Sequence, residues 1–147
     1  MESIEFSSKG GQREFSNFWS APFILENKQW PTVEHYFQAK KFPTDTSLQE
    51  TIRSASSPAL AKKLGRTCSL HFDSAWEEHK EEIMKQALTA KFTQNPELRD
   101  LLLATGSRPL IEKAYWDAYW GSGRTGKGKN RMGYLLSEVR ENLRNSV

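Results

Sequence analysis

The 147-residue chain holds one cysteine, Cys68, which excludes a disulfide framework and any cysteine-built metal site. Nowhere does it run to 18 consecutive apolar residues, so no membrane span is expected. The opening MESIEFSSKG has an early acid and no apolar stretch, so no secretory signal is expected either, and a cytosolic location follows. The three histidines, His35, His71 and His79, share no ligand spacing, and no metal is expected. Repeats, low-complexity tracts and linker-like stretches are also lacking, which predicts one domain over residues 1–147.

What is present is the composition of a folded protein, 37% hydrophobic and 27% charged. A net charge of +3 permits an anionic ligand without demanding one. SIEF, EFSNFW and PFILENKQW read as short strands, the last a hairpin turning at Glu26, Asn27 and Lys28. Thr32 is placed to cap VEHYFQAKKF, which must stop near Pro43. Further helices are predicted over Leu48 to Ala55, over SSPALAKKLGR with Pro58 in its first turn and Gly65 at its stop, and from Asp73 through Phe92. Asn95-Pro96 opens another, PLIEKAY reads as a strand, and Met132, Leu135, Leu136, Val139 and Leu143 mark a final amphipathic helix. The sum is a helix-rich α+β fold with one small sheet.

The stretch DAYWGSGRTGKGKNRMGY fits two phosphate-binding spacings and fails both on context. Lys127 is followed by Gly128 rather than Ser or Thr, and too little chain remains for a second strand with its acid. Five glycines between 121 and 133 nevertheless let backbone approach a ligand, and Arg124, Lys127, Lys129 and Arg131 come with no acid between them. Such a loop suits a phosphate, aided by the start of the last helix near Asn130. A solvated basic loop is the plain alternative. In TVEHYFQAKKF, Glu34, Gln38 and Lys41 fall at i, i+4 and i+7 along one helix face. By pattern alone that is a solvated face with a weak ion pair.

These blocks, with FSNFWSAPFILENKQW, SSPALAKKLGR and KQALTAKF, occur in the order and spacing of the YbiA-like proteins of the NADAR superfamily, which the chain resembles from about Phe15 to Arg144. The resemblance implies the YbiA-like fold and an N-glycosidase that removes ribose from an exocyclic amine. The implied substrates are phosphoribosylaminopyrimidine intermediates of riboflavin synthesis, or guanine carrying ADP-ribose in DNA or RNA. The alternative from another class is a noncatalytic sensor that binds ADP-ribose or a related nucleotide.

Carried onto this chain, the resemblance makes Glu34 the leading catalytic carboxylate and Lys41 the proton donor or imine-forming amine, with Lys40 as a competing neighbour. Asp117 becomes a second carboxylate, as base, as partner of a ribose hydroxyl, or only as the cap of the turn before the glycines. Gly121, Gly123, Gly126, Gly128, Lys127, Asn130 and Arg131 are expected at a phosphate or pyrophosphate. Ser16, Asn17 and Phe18 match the family's SNF element, for reading and stacking on a base or for a buried turn. Gln38 shares the catalytic face, Arg66 contacts phosphate or only solvent, and Trp120 stacks on a ring or fills core. No cofactor is implied, since hydrolysis needs only water.

Overall fold

Side-chain caps from Thr, Asp and Ser start three of the helices. In the computed structural model, which describes residues 1–146, Thr32 accepts from the His35 amide, Asp45 from that of Leu48 and Ser57 from that of Leu60. In chain order the elements are β1 (Ile4–Phe6), a 3-10 turn (Arg13–Phe15), β2 (Phe23–Leu25), β3 (Lys28–Trp30), α1 (Val33–Ala39) and α2 (Thr46–Arg53). They continue with α3 (Pro58–Leu64), α4 (Trp76–Gln94), α5 (Pro96–Ala104), β4 (Leu110–Glu112) and α6 (Arg131–Asn145). The fold is α+β and helix-rich, as expected.

The chain divides into two compact units, one of residues 20–91 and one of residues 1–19 with 92–147. In the first, β2 and β3 form an antiparallel hairpin with Phe23 opposite Trp30. Its turn residues Glu26 and Asn27 both have positive φ, 56° and 64°, the geometry that matches the twist of a two-residue hairpin loop. Helix α1 packs against α2 and α3. His35 pins this arrangement: its Nε2 donates to the Ala55 carbonyl at 3.0 Å, while its Nδ1 accepts from the Thr32 hydroxyl at 2.8 Å. Burial pushes the His35 pKa below the ordinary value and favours the neutral imidazole.

In the second unit, β1 and β4 pair in parallel with Ile4 opposite Leu110. Helix α6 packs on β4 and on α5. Arg140, buried on α6, donates one guanidinium nitrogen to the Thr105 hydroxyl and to the Arg108 carbonyl, each at 2.9 Å, which keeps that charge hydrogen-bonded. Phe15 meets Phe6 and Phe92 with ring centroids 6.0 Å apart in each case.

Two expectations about strands give way. One small sheet becomes two separate two-stranded ribbons. EFSNFW is not a strand: Arg13–Phe15 form a 3-10 turn, and the Ser16 hydroxyl accepts from the Phe18 amide at 3.1 Å, a local side-chain bond that competes with strand pairing.

Candidate active site

Helix α1 is the element that the pattern undervalues. All seven of its residues are buried, with Glu34 7% and Gln38 4% exposed, so no solvated face exists. Removing a carboxylate and an amide from water costs free energy unless other groups satisfy them. Gln38 Nε2 donates to Glu34 Oε1 at 2.7 Å, one helical turn away, and fixes the carboxylate's orientation. The Gln38 amide oxygen has no protein partner and lies against Gly65, where a Cβ would overlap it. The role of Gly65 is therefore steric; its φ of −65° suits any residue.

Past Ala39 the helix tightens, with the Lys41 and Phe42 amides bonding back three residues to Gln38 and Ala39. Lys41 lies just beyond the helix instead of on its i+7 stripe, yet it stays coupled to Glu34. Burial lowers its pKa most; the Glu34 charge opposes that, and the charges of Arg66 and Lys62 add to it. Its Nζ stands 6.0 Å from the centroid of the Trp76 ring. Lys40 turns elsewhere, 3.0 Å from a Glu26 oxygen in an ion pair. Of the two adjacent lysines, Lys41 is the one near the buried acid. Glu34, Gln38, Lys41 and Arg66 thus form one cluster inside residues 20–91.

The glycine loop has a different economy. Its amides are spent on the loop itself: Ser122 on the Glu112 carbonyl, Gly123 on Ala114, Gly128 on Ser122, Lys129 on Ala118, and Asn130 on Gly121. Arg131 and Met132, the first turn of α6, donate to Tyr119 and Trp120. A cradle of free amides at this helix start, expected from the sequence, is corrected by these bonds. Asn130 also serves the scaffold: at φ 50° its side chain accepts from the Glu112 amide and donates to the Leu110 carbonyl, clamping β4 at 3.0 and 2.8 Å. Gly128 and Gly133 answer to packing, since a Cβ on either would strike backbone oxygen. Gly123 and Gly126 take φ of 69° and 78°.

What the loop offers a ligand is side chains. Arg124, Lys127 and Lys129 are exposed and Arg131 half-buried. Asp117 acts as the turn cap, its Oδ1 accepting from the Tyr119 and Trp120 amides at 3.0 and 2.9 Å. Trp120 is half-buried, 5.0 Å from the Tyr119 ring. Ser16 is buried and Asn17 and Phe18 are half-buried, in the same unit as the loop. Sequence reasoning named neither Lys62 nor Trp76 as a site residue. Lys62 stands one residue before Lys63 on a helix rich in lysine, so no pattern distinguishes it. Among the described residues no helix is long and apolar enough to cross a membrane, and no cluster of His, Cys, Asp and Glu has the makings of a metal site.

The NADAR domain matches residues 5–144, reaching into both units. N-glycosidase YbiA of Escherichia coli (strain K12) is 51% identical over 138 residues, covering 94% of this chain and 86% of that protein. N-glycosidase Npun_R5314 of Nostoc punctiforme is 37% identical over 133 residues, covering 89% of this chain and 85% of its own. The chloroplastic riboflavin biosynthesis protein PYRR of Zea mays is 38% identical, and the match spans 90% of this chain but 24% of that longer protein. The NMR structure of E. coli YbiA superposes with a TM-score of 0.88 at 47% identity, covering 99% of this chain and 88% of the other.

Proposed function

The chain belongs to the NADAR family, and from that premise we propose that it is an N-glycosidase, hydrolysing the bond between ribose C1 and an exocyclic amine on a pyrimidinone or purinone ring. The names of its N-glycosidase relatives support the reaction, and those of its riboflavin biosynthesis relatives support phosphoribosylaminopyrimidine intermediates as substrate. Guanine bearing ADP-ribose, in DNA or RNA, is the second substrate class of the proposal. It shares the same core: an amine on a pyrimidinone ring, ribose C1, and a phosphate on the ribose 5′ carbon. A cytoplasmic setting belongs to the same reading, supported by the unpaired, exposed Cys68.

The observation that carries the proposal is the buried Glu34, oriented by Gln38 and coupled to an amine whose pKa is lowered. Such a pairing of acid and amine serves two routes. In direct hydrolysis, Glu34 takes a proton from water as the water oxygen bonds to C1. The C1–N bond breaks and Lys41 returns a proton to the departing amine. In the covalent route, the neutral Lys41 amine adds to C1 of the ring-opened imine and expels the exocyclic amine with a proton. Water then hydrolyses the lysine imine, releasing the sugar aldehyde and free Lys41. Gln38 positions Glu34, and the cations of the glycine loop attract phosphate. Asp117, Trp120, Ser16, Asn17 and Phe18 belong to the proposed binding set through their match to the family's motifs alone. The family match over both units supports one functional domain.

Purified protein is to be incubated with a 5-amino-6-ribosylaminopyrimidine phosphate and, separately, with a guanine oligonucleotide bearing ADP-ribose. Sugar release is followed by mass spectrometry. Release from either is expected, and the ratio of rates assigns the substrate. A sugar adduct on Lys41 after borohydride reduction would select the covalent route. No release from either, with tight binding of ADP-ribose, would replace the enzyme by a sensor.

A further inference from the structure

Tyr115 and Trp116 are 66% and 63% exposed, and their rings meet edge to face with centroids 5.2 Å apart. Two large aromatic side chains held in water are costly unless something covers them. Neither belongs to the core, and neither has a place in the proposed reaction. They project from a short turn, closed by the Asp117 amide on the Ala114 carbonyl at 3.0 Å. Both ends of that turn are stitched to the basic loop, the Ala114 carbonyl to the Gly123 amide at 3.2 Å and the Ala118 carbonyl to the Lys129 amide at 2.7 Å.

The consequence is a fixed juxtaposition. Between Gly123 and Lys129 the loop bonded to that turn is almost wholly exposed and carries Arg124, Lys127 and Lys129, the last with its Nζ 5.4 Å from the centroid of the Tyr119 ring. No acid occurs from Ala118 to Ser137. Of the two acids before that stretch, Asp117 spends Oδ1 on backbone amides, and Glu112 is half-buried on β4. Lys113 adds an exposed cation, 3.5 Å from Glu5.

Aromatic faces interleaved with cations recognise unstacked bases joined by phosphates: the rings take bases of any sequence, and the cations follow the backbone. We infer that Tyr115 and Trp116, with Arg124, Lys127 and Lys129, form a platform for single-stranded nucleic acid. A duplex is disfavoured, because its bases are already stacked and neither a helix nor a ribbon projects here to enter a groove. The inference extends the proposed function by favouring a substrate carried on a strand. It is tested with an unmodified strand, so its failure leaves the N-glycosidase reading standing.

The probe is a fluorescently labelled 12-nucleotide single strand of mixed sequence, titrated with the full chain and read by anisotropy at several salt concentrations. Saturable binding is expected, weakening with salt at a log–log slope of roughly −2, as for about three phosphate contacts. Replacing Tyr115 and Trp116 together by Ala is expected to weaken it by at least about tenfold, while Trp116→Phe keeps most of the affinity. The same alanine variant is expected to cleave a free aminopyrimidine riboside phosphate at the wild-type rate, which shows that it is folded. Absence of binding at low salt, equal binding by the alanine variant, or equally tight binding of a duplex would each overturn the inference. So would self-association of the wild type that Trp116→Ala removes, without strand binding, because it would assign the pair to a second copy of the chain.

Discussion

Helix α1 and the glycine loop invert what their sequences advertise. The loop has the spacing of a phosphate-binding motif, yet eight of its amides and those of the following helix start, at Ser122, Gly123, Gly126, Gly128, Lys129, Asn130, Arg131 and Met132, are consumed within residues 112–132. Its glycines answer mainly to packing and to left-handed φ. The helix has the pattern of an ordinary charged surface, yet it buries an acid and an amide side by side. Buried polar groups cost stability, and burial lowers the pKa of the Lys41 amine coupled to them, which is the pattern that the proposed function draws on. A motif is thus weaker guidance than the destination of its hydrogen bonds.

The sharpest way to break this comparison is to separate the two adjacent lysines. Lys41→Met is expected to lower turnover by roughly 10²–10⁴-fold, and Lys40→Met to leave it within about threefold, since an exposed ion pair to Glu26 is worth little. Equal losses would mean that the pair is not discriminated as the geometry requires. If the covalent route operates, the rate needs neutral Lys41. It then rises with pH at lower values than an ordinary lysine would permit, because burial lowers the Lys41 pKa.

Next in size is the loop's structural half. Gly133→Ala places a Cβ against the Leu110 carbonyl, and Asn130→Ala removes both bonds that clamp β4. Each is expected to cost about 2 kcal/mol or more, read as a lower melting temperature. Wild-type stability in both would deny that the loop's glycines and Asn130 are scaffold. Lys127→Ala, on the exposed side, is expected to raise KM by roughly threefold to tenfold with kcat unchanged, and more so at low salt. A change confined to kcat would move Lys127 into the chemistry.

The smallest effect concerns the foundation of α1. His35 has its folded pKa lowered by burial, so its contribution is present above the ordinary value of 6.5 and is lost as pH falls through the lowered folded value. Thermal stability is therefore expected to decline on mild acidification, and less so in His35→Gln. A melting temperature that is flat with pH in both proteins would remove this role.

Much of the fold was legible. The caps at Thr32 and Ser57, the Glu26-Asn27 turn, the Pro58 start and the final helix are local devices, each written within a few residues. What depended on distant partners was not. EFSNFW alternates as a strand does, but a strand needs a neighbour, and none pairs with it; β1 instead found β4, more than a hundred residues on. The same limit governs the site. Glu34 and Gln38 lie at helical spacing in any reading, whereas their burial depends on α2, α3 and the chain around them. Lys62 beside Lys41 left no periodic signal, and Tyr115 stood at the end of PLIEKAY, a segment read as strand, with Trp116 just beyond it.

The most direct measurement is the single-turnover rate of Glu34→Gln beside wild type on the better of the two substrates, with binding of that substrate to each measured separately. The account predicts a folded variant that binds within a few-fold of wild type and releases sugar roughly 10²–10⁴ times more slowly. A variant that releases sugar at the wild-type rate would contradict it and move the chemistry away from α1.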